Sequence, residues 1–229
     1  MDEITPQQRS EAKALGFQYN RITGNFSARI LLRCGVLSAA QMHAAAEAAE
    51  RFGDKELIFT TRLSLEIQNI ARADIGPFIE FVTARGLTLV RGGNTFRSVV
   101  VCKGTTCIFG QGDVRALAEK IHTLFYEPAE PLPCKFKIGI GGCMNNCAKP
   151  DLNDFGAVAQ KINGETVYRI FLGGRWGREK YPGIEQPGTY AEEQVLEKLR
   201  RTVEFFKANG KPGERFGDML RRLGRTDVD

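Results

Sequence analysis

Apolar and polar positions alternate over short stretches of this chain, and longer stretches of helical period separate them. "GNFSARILLR", 24–33, places Phe26, Ala28, Ile30 and Leu32 on one face and Ser27, Arg29 and Arg33 on the other, the pattern of a half-buried strand. Ser38-x-x-Gln41 is a capping-box signature, and an alanine-rich helix follows it to Gly53. "LIFTTRLSLEIQNI", 57–70, predicts one strand with Leu63, Leu65 and Ile67 inward and Arg62, Ser64, Glu66 and Gln68 outward. "DIGPFIEFVTARG" predicts a helix ending at Gly86, and "LTLVRGG" a short strand. This β-α-β-α-β run makes a small α+β unit over roughly 15–92.

Beyond residue 92 the character changes. "NTFRSVVVC" predicts a strand ending at Cys102, and "DVRALAEKIHTLF" a helix with Val114, Leu117, Ile121 and Leu124 on one side. "CKFKIGI" reads as a strand running into Gly141-Gly142-Cys143. "FGAVAQKINGETVYRIFLGG" is a hairpin turning at Asn163-Gly164. Thr189-x-x-Glu192 opens a long helix whose core positions include Leu196, Leu199, Val203 and Phe206, and "GERFGDMLRRLG" is a short amphipathic helix. No repeat recurs at a fixed spacing.

Composition narrows the function classes. At 42% hydrophobic and 26% charged the 229 residues are ordinary for a globular protein, and no window approaches eighteen apolar residues, so no membrane span is expected. The start is polar and partly acidic, without a secretory pattern, which points to the cytoplasm. The net charge of +5 comes without a basic run or a recognition motif, so an anionic small ligand suits it better than nucleic acid.

In a reducing compartment, clustered cysteines bind metal or do redox chemistry. Cys102 and Cys107 enclose four residues, and Cys143 and Cys147 enclose three; 36 positions separate the pairs (107 to 143). Four soft thiolates suit a [4Fe–4S] cluster or a structural zinc ion. Glycines at both strand ends offer backbone N–H groups to cluster sulfurs, which favours iron–sulfur, while zinc sites usually carry C-x2-C pairs. Cys34 and Cys134 read as small buried residues, His43 and His122 as packing or surface residues, and Trp176 as structural.

Lys135 and Lys137 stand two apart on the strand that leads into Cys143, with Phe136 and Ile138 packed behind. Arg62 and Arg29 also sit on the polar faces of apolar strands. Three strands each aiming cations from one face suggest an anion pocket.

Together these segments resemble the siroheme- and [4Fe–4S]-containing sulfite and nitrite reductases, over about residues 17–225. "TTRLSLEIQNI" is similar to that family's threonine–arginine strand, "LPCKFKIGI" to its lysine strand, and "GGCMNNCAKPDLNDFGAVA" to its second cysteine pair. The fold so implied is α+β: a small ferredoxin-like α/β substrate-side subdomain over 1–92, then a mixed α/β siroheme and iron–sulfur domain over 93–229. The resemblance implies that Cys102, Cys107, Cys143 and Cys147 ligate the cluster and that Cys147 bridges to the siroheme iron. Arg29, Arg62, Lys135 and Lys137 then bind the oxyanion and supply protons, while Arg33 and Arg97 pair with siroheme carboxylates.

The implied reaction is six-electron reduction of sulfite to sulfide or of nitrite to ammonia. No dinucleotide fingerprint and no second cysteine run is visible, so electrons come from a separate donor such as a ferredoxin. A carrier without catalytic haem is the alternative. The chain also departs from the family. Its first cysteine loop is one residue short, Glu66 replaces a usual glutamine, and Gln68 stands where histidine is frequent. A carboxylate at 66 weakens anion binding or changes the substrate unless it pairs with an arginine. One module is present where common assimilatory enzymes hold two, so a homodimer and a monomer with an open site are both compatible.

Overall fold

The computed structural model describes residues 4–229. It divides into a compact unit ending at Gly93 and a second, Asn94–Asp229. In the first, helix α1 (Pro6–Ala14) precedes strands β1 (Phe17–Tyr19) and β2 (Phe26–Leu31). Helix α2 (Ala39–Phe52), strands β3 (Ile58–Phe59) and β4 (Ser64–Ile70) and helix α3 (Ile75–Ala84) follow. The strands form an antiparallel sheet in the order β1-β2-β4-β3.

The expected capping box is present at α2: the Ser38 hydroxyl accepts from Gln41 N and the Gln41 carboxamide accepts from Ser38 N. Ala44, Ala45, Ala48 and Ala49 form its buried face. Phe52 then meets Phe78 and Phe81 edge-on, and Phe78 meets Phe17, with ring centroids 5.5–5.7 Å apart. Each such pair is worth about 1 kcal/mol beyond its burial. Phe26, Ala28, Ile30 and Leu32 are buried as their alternation requires.

The single strand expected over 57–70 is two strands joined by a tight turn. Leu63 adopts φ +53° and its N–H donates to Thr60 O, while the Thr60 hydroxyl accepts from Ser64 N. Arg62 therefore sits in a turn and not on a strand face. "LTLVRGG" contributes only a bridge, Leu89 opposite Ile30, where it prolongs the edge that β1 begins. Helix α1 lies in a segment read from sequence only as a polar start; the Thr5/Gln8 capping box and Pro6 in its first turn account for it.

In the second unit, β5 (Val100–Val101), β6 (Ile138–Gly141), β7 (Phe155–Ile162), β8 (Glu165–Leu172) and β9 (Ile184–Glu185) form one sheet in chain order. The first three strands run parallel and the last two antiparallel. The β7–β8 hairpin turns at Asn163 (φ +52°) and Gly164 (φ +85°), as the dipeptide predicts for a type I′ turn. Helix α4 (Val114–Ile121) crosses from β5 to β6 and runs on into a π turn, His122–Tyr126. The extra residue of that turn rotates Leu124 outward to 48% exposure and brings Phe125 and Tyr126 inside, so the expected apolar stripe ends at Ile121.

Helix α5 (Glu192–Asn209) starts at Ala191, not Thr189: the Gln194 carboxamide accepts from Ala191 N at 2.8 Å. Its buried face takes Val195, Leu199, Val203 and Phe206, with Leu196 half-buried at the side. Helix α6 (Phe216–Leu223) closes the chain, and Phe206, Phe216 and Phe136 stack together in the core.

Candidate functional site

Parallel strands end together, and their carboxyl ends are where α/β sheets place ligands. Both cysteine pairs lie there. Strand β5 stops at Val101, opposite Ile140, and Cys102 follows, its N–H donating to Ile140 O. Strand β6 stops at Gly141, and Gly142-Cys143 opens the crossover to β7. The two loops are laced to each other: Gly142 N donates to Cys102 Sγ at 3.0 Å, Gly104 N to the same sulfur at 3.4 Å, and Gln111 N to Gly142 O at 2.8 Å. Amide donors aimed at a sulfur are outer contacts of the kind that orient a metal-ligating cysteine.

Each loop is shaped locally. Gly104 (φ +61°) starts a short turn in which Cys107 N donates to Gly104 O and Gly110 N to Cys107 O. In the second, Asn146 (φ +57°) is pinned by its amide on Asp151, and Lys149 (φ +47°) donates to Asn146 O before Pro150. Cys102, Cys107 and Cys143 are half-buried and Cys147 is exposed, whereas Cys34 and Cys134 are buried. Among the described residues no three Cys, His, Asp or Glu side chains converge as one ion requires.

The cradle has no slack. A Cβ on Gly142 would stand 2.9 Å from Cys102 Sγ and 3.4 Å from Gly104 Cα. Gly142→Ala is therefore expected to displace that sulfur and speed loss of bound iron severalfold, measured as iron retained after gel filtration under chelator.

Three large apolar side chains stand open on these loops: Ile108 is 92% exposed, and Phe109 and Met144 are 54% exposed. Exposed apolar side chains clustered around polar loops mark a surface that something covers.

The lysines are placed differently. Lys135 and Lys137 flank buried Phe136 on an extended run whose Phe136 bridges Phe96 in parallel; only from Ile138 does it become β6. The Lys137 ammonium donates to Trp176 O at 3.3 Å, and the Trp176 ring lies 5.5 Å from the Lys149 ammonium. Lys137 precedes β6 and Cys143 follows it. The loop that carries Cys147 folds back over that strand: a Cβ on Gly139 would stand 2.9 Å from Pro150 Cα, and one on Gly141 3.0 Å from Pro150 Cγ. The lysine run and Cys143 thus flank β6, and Trp176 links Lys137 to Lys149, two residues past Cys147.

Arg97 lies beside the lysines. Three residues (97–99) oppose two (137–138) between the Phe96–Phe136 and Val100–Gly139 pairs, a bulge that leaves Arg97 half-buried with its N–H on Phe136 O. In the first unit, Arg29 lies on β2, Arg33 in the short helical turn after it and Arg62 in the β3–β4 turn.

Sequence reasoning missed Asp154. Its fully buried carboxylate accepts from Lys137 N at 2.8 Å and from the buried Arg215 guanidinium at 2.7 Å. Burial pushes the Asp154 carboxyl up from its ordinary range, against the charge and hydrogen bond of Arg215 and the Lys137 amide. An aspartate just before an apolar strand reads as a loop residue, and nothing local announces a partner on the approach to α6.

Two loops bearing paired cysteines, leaving the ends of neighbouring parallel strands, define a module built to hold a thiolate-ligated metallocofactor. The family model described as the nitrite and sulphite reductase 4Fe-4S domain matches residues 92–227, and that of the nitrite/sulfite reductase ferredoxin-like half domain matches 19–84. The chain belongs to the nitrite and sulphite reductase family. A ferredoxin–nitrite reductase of Synechococcus elongatus is 28% identical, over 89% of this chain and 42% of its own. A coenzyme F420-dependent sulfite reductase of Methanocaldococcus jannaschii is 32% identical, over 77% of this chain and 37% of its own. A crystal structure of dissimilatory sulfite reductase I superposes with a TM-score of 0.75 at 14% identity, covering 86% of this chain and 66% of that one. The chain spans less than half the length of these two curated relatives.

Proposed function

We propose that the protein reduces a small oxyanion, nitrite or sulfite, with six electrons from an external donor such as a ferredoxin. The observation that carries this reading is the convergence of two cysteine loops at the carboxyl ends of adjacent parallel strands, with an amide-supported Cys102 sulfur at their seam. Cys102, Cys107, Cys143 and Cys147 would hold the [4Fe–4S] cluster, Cys147 would serve siroheme as well, and Arg33 and Arg97 would pair with siroheme carboxylates. When bound, these cofactors supply electrons singly and an iron for the substrate's nitrogen or sulfur.

The chain's own residues supply charge and protons. Arg29, Arg62, Lys135 and Lys137 bind the oxyanion. Arginine carries a fixed charge that holds substrate oxygens, whereas lysine can give a proton to an oxygen that leaves as water.

Two measurements test the reading. Protein purified without oxygen is expected to show siroheme bands in its absorption spectrum, with iron and labile sulfide, and to consume nitrite or sulfite when chemically reduced. Iron and sulfide without haem, even after siroheme is supplied, would favour a carrier. Lys137→Met is expected to lower turnover by a factor of 10²–10³ while keeping the cluster. Unchanged turnover in that variant would overturn the place of Lys137 in the oxyanion set.

A further inference from the structure

Glu66 stands directly across the β2–β4 ladder from Arg29, and a bulge puts it there. Phe26 pairs with Ile70 but Ala28 pairs with Ile67, so Gln68 and Asn69 together oppose Ser27. Asn69 takes φ +64°, which asparagine tolerates, and its side chain accepts from Asn25 Nδ2 at 2.8 Å. In an unbulged ladder Arg29 would oppose Ile67, and Glu66 would oppose Ile30. A one-residue slip decides whether the arginine has a carboxylate for a neighbour.

With the bulge in place, Arg29 Nε donates to Glu66 Oε2 at 2.5 Å, and Gln68 Nε2 donates to Glu66 Oε1 at 3.3 Å. The Glu66 side chain is 11% exposed and that of Arg29 37%. The carboxylate is thus held at both oxygens, on the side of the sheet that carries Arg29. The bond engages Nε, and the two terminal guanidinium nitrogens remain for a ligand.

We propose that Glu66 is a specificity-determining residue: paired with Arg29 as a net-neutral unit, it weights the oxyanion site toward a singly charged ligand and against a doubly charged one. The proposal rests on the reading above that Arg29 belongs to the oxyanion set. Nitrite is a monoanion; sulfite in mildly alkaline solution is largely a dianion. A lone Arg29 would attract the dianion about twice as strongly as the monoanion. A neighbouring carboxylate repels them in the same ratio, so the pair removes the advantage of the second charge.

Calorimetric titration of the cofactor-loaded protein with nitrite and with sulfite at pH 8 tests this. Glu66→Gln keeps an oxygen that can accept from Arg29 Nε but removes the charge. It is expected to tighten sulfite binding about tenfold relative to nitrite. Arg29→Gln, which leaves the Glu66 charge unpaired, should move the ratio the other way. A ratio that stays put in both variants, with wild-type binding intact, overturns the role of Glu66 and spares the functional reading. Wild-type protein that binds neither anion overturns both.

Discussion

Cys102→Ala is expected to strip the protein of its cluster: from about four irons and four sulfides per chain to fewer than one of each, with all reductase turnover lost. Among the four loop cysteines, Cys102 is the one whose sulfur ties the two loops together. It accepts from Gly142 N on the second loop and from Gly104 N on its own. Removing the sulfur removes a ligand and also leaves the half-buried amide of Gly142 without its acceptor, which itself costs about 1–3 kcal/mol. Cys134→Ala is the matched control. Cys134 is buried at 9% exposure, just before the lysine run. It should keep its iron and sulfide and lose only about 1 kcal/mol of stability to the small cavity. Equal iron loss in both variants would remove the cysteine loops from their role.

The elements that sequence made legible are those whose signals are local. The Ser38/Gln41 box, the Asn163-Gly164 turn and the alternation from Phe26 to Leu32 each need only a few neighbouring residues, and each stands where it was read. What escaped depends on backbone conformations without a glycine to mark them. Leu63 and Asn69 both take positive φ, the first splitting an apparent strand and the second shifting its register. The π turn after α4 breaks a regular stripe in the same unannounced way.

The candidate site divides along the same line. Cysteine pairs beside glycines are conspicuous in sequence. That they leave the ends of neighbouring parallel strands follows only from a pairing distant in sequence, Val100 with Gly139. The lysine pair shows the converse. Its alternation was legible, with Phe136 and Ile138 buried between exposed Lys135 and half-buried Lys137. Its link to the cysteine loops was not, because Lys137 donates to Trp176, 39 residues on, whose ring lies against Lys149. Glu66 was visible as a residue out of place, but its partner depends on the bulge.

Arg215→Met is expected to destabilise the protein by about 3–5 kcal/mol, the cost of leaving a buried charge without its partner. Asp154 and Arg215 lie 1% and 8% exposed, and the same Asp154 oxygen that accepts from Arg215 also holds the backbone of Lys137. With the guanidinium gone, burial raises the Asp154 carboxyl unopposed by the neighbouring charge, above its unfolded value of about 3.9. The folded state then keeps a proton to higher pH than the unfolded chain does. Stability consequently falls as pH rises from about 4 through the raised value, and the defect is smaller at pH 5 than at pH 8. Urea unfolding at those two pH values measures it. Asp154→Leu combined with Arg215→Met should recover most of the loss, since an apolar pair of similar volume often replaces a buried ion pair without penalty. It leaves the Lys137 amide without an acceptor, a residual of about 1–3 kcal/mol. A single variant whose defect is the same at both pH values would mean that Asp154 is already neutral beside Arg215, and that the pair acts as a hydrogen bond without charge.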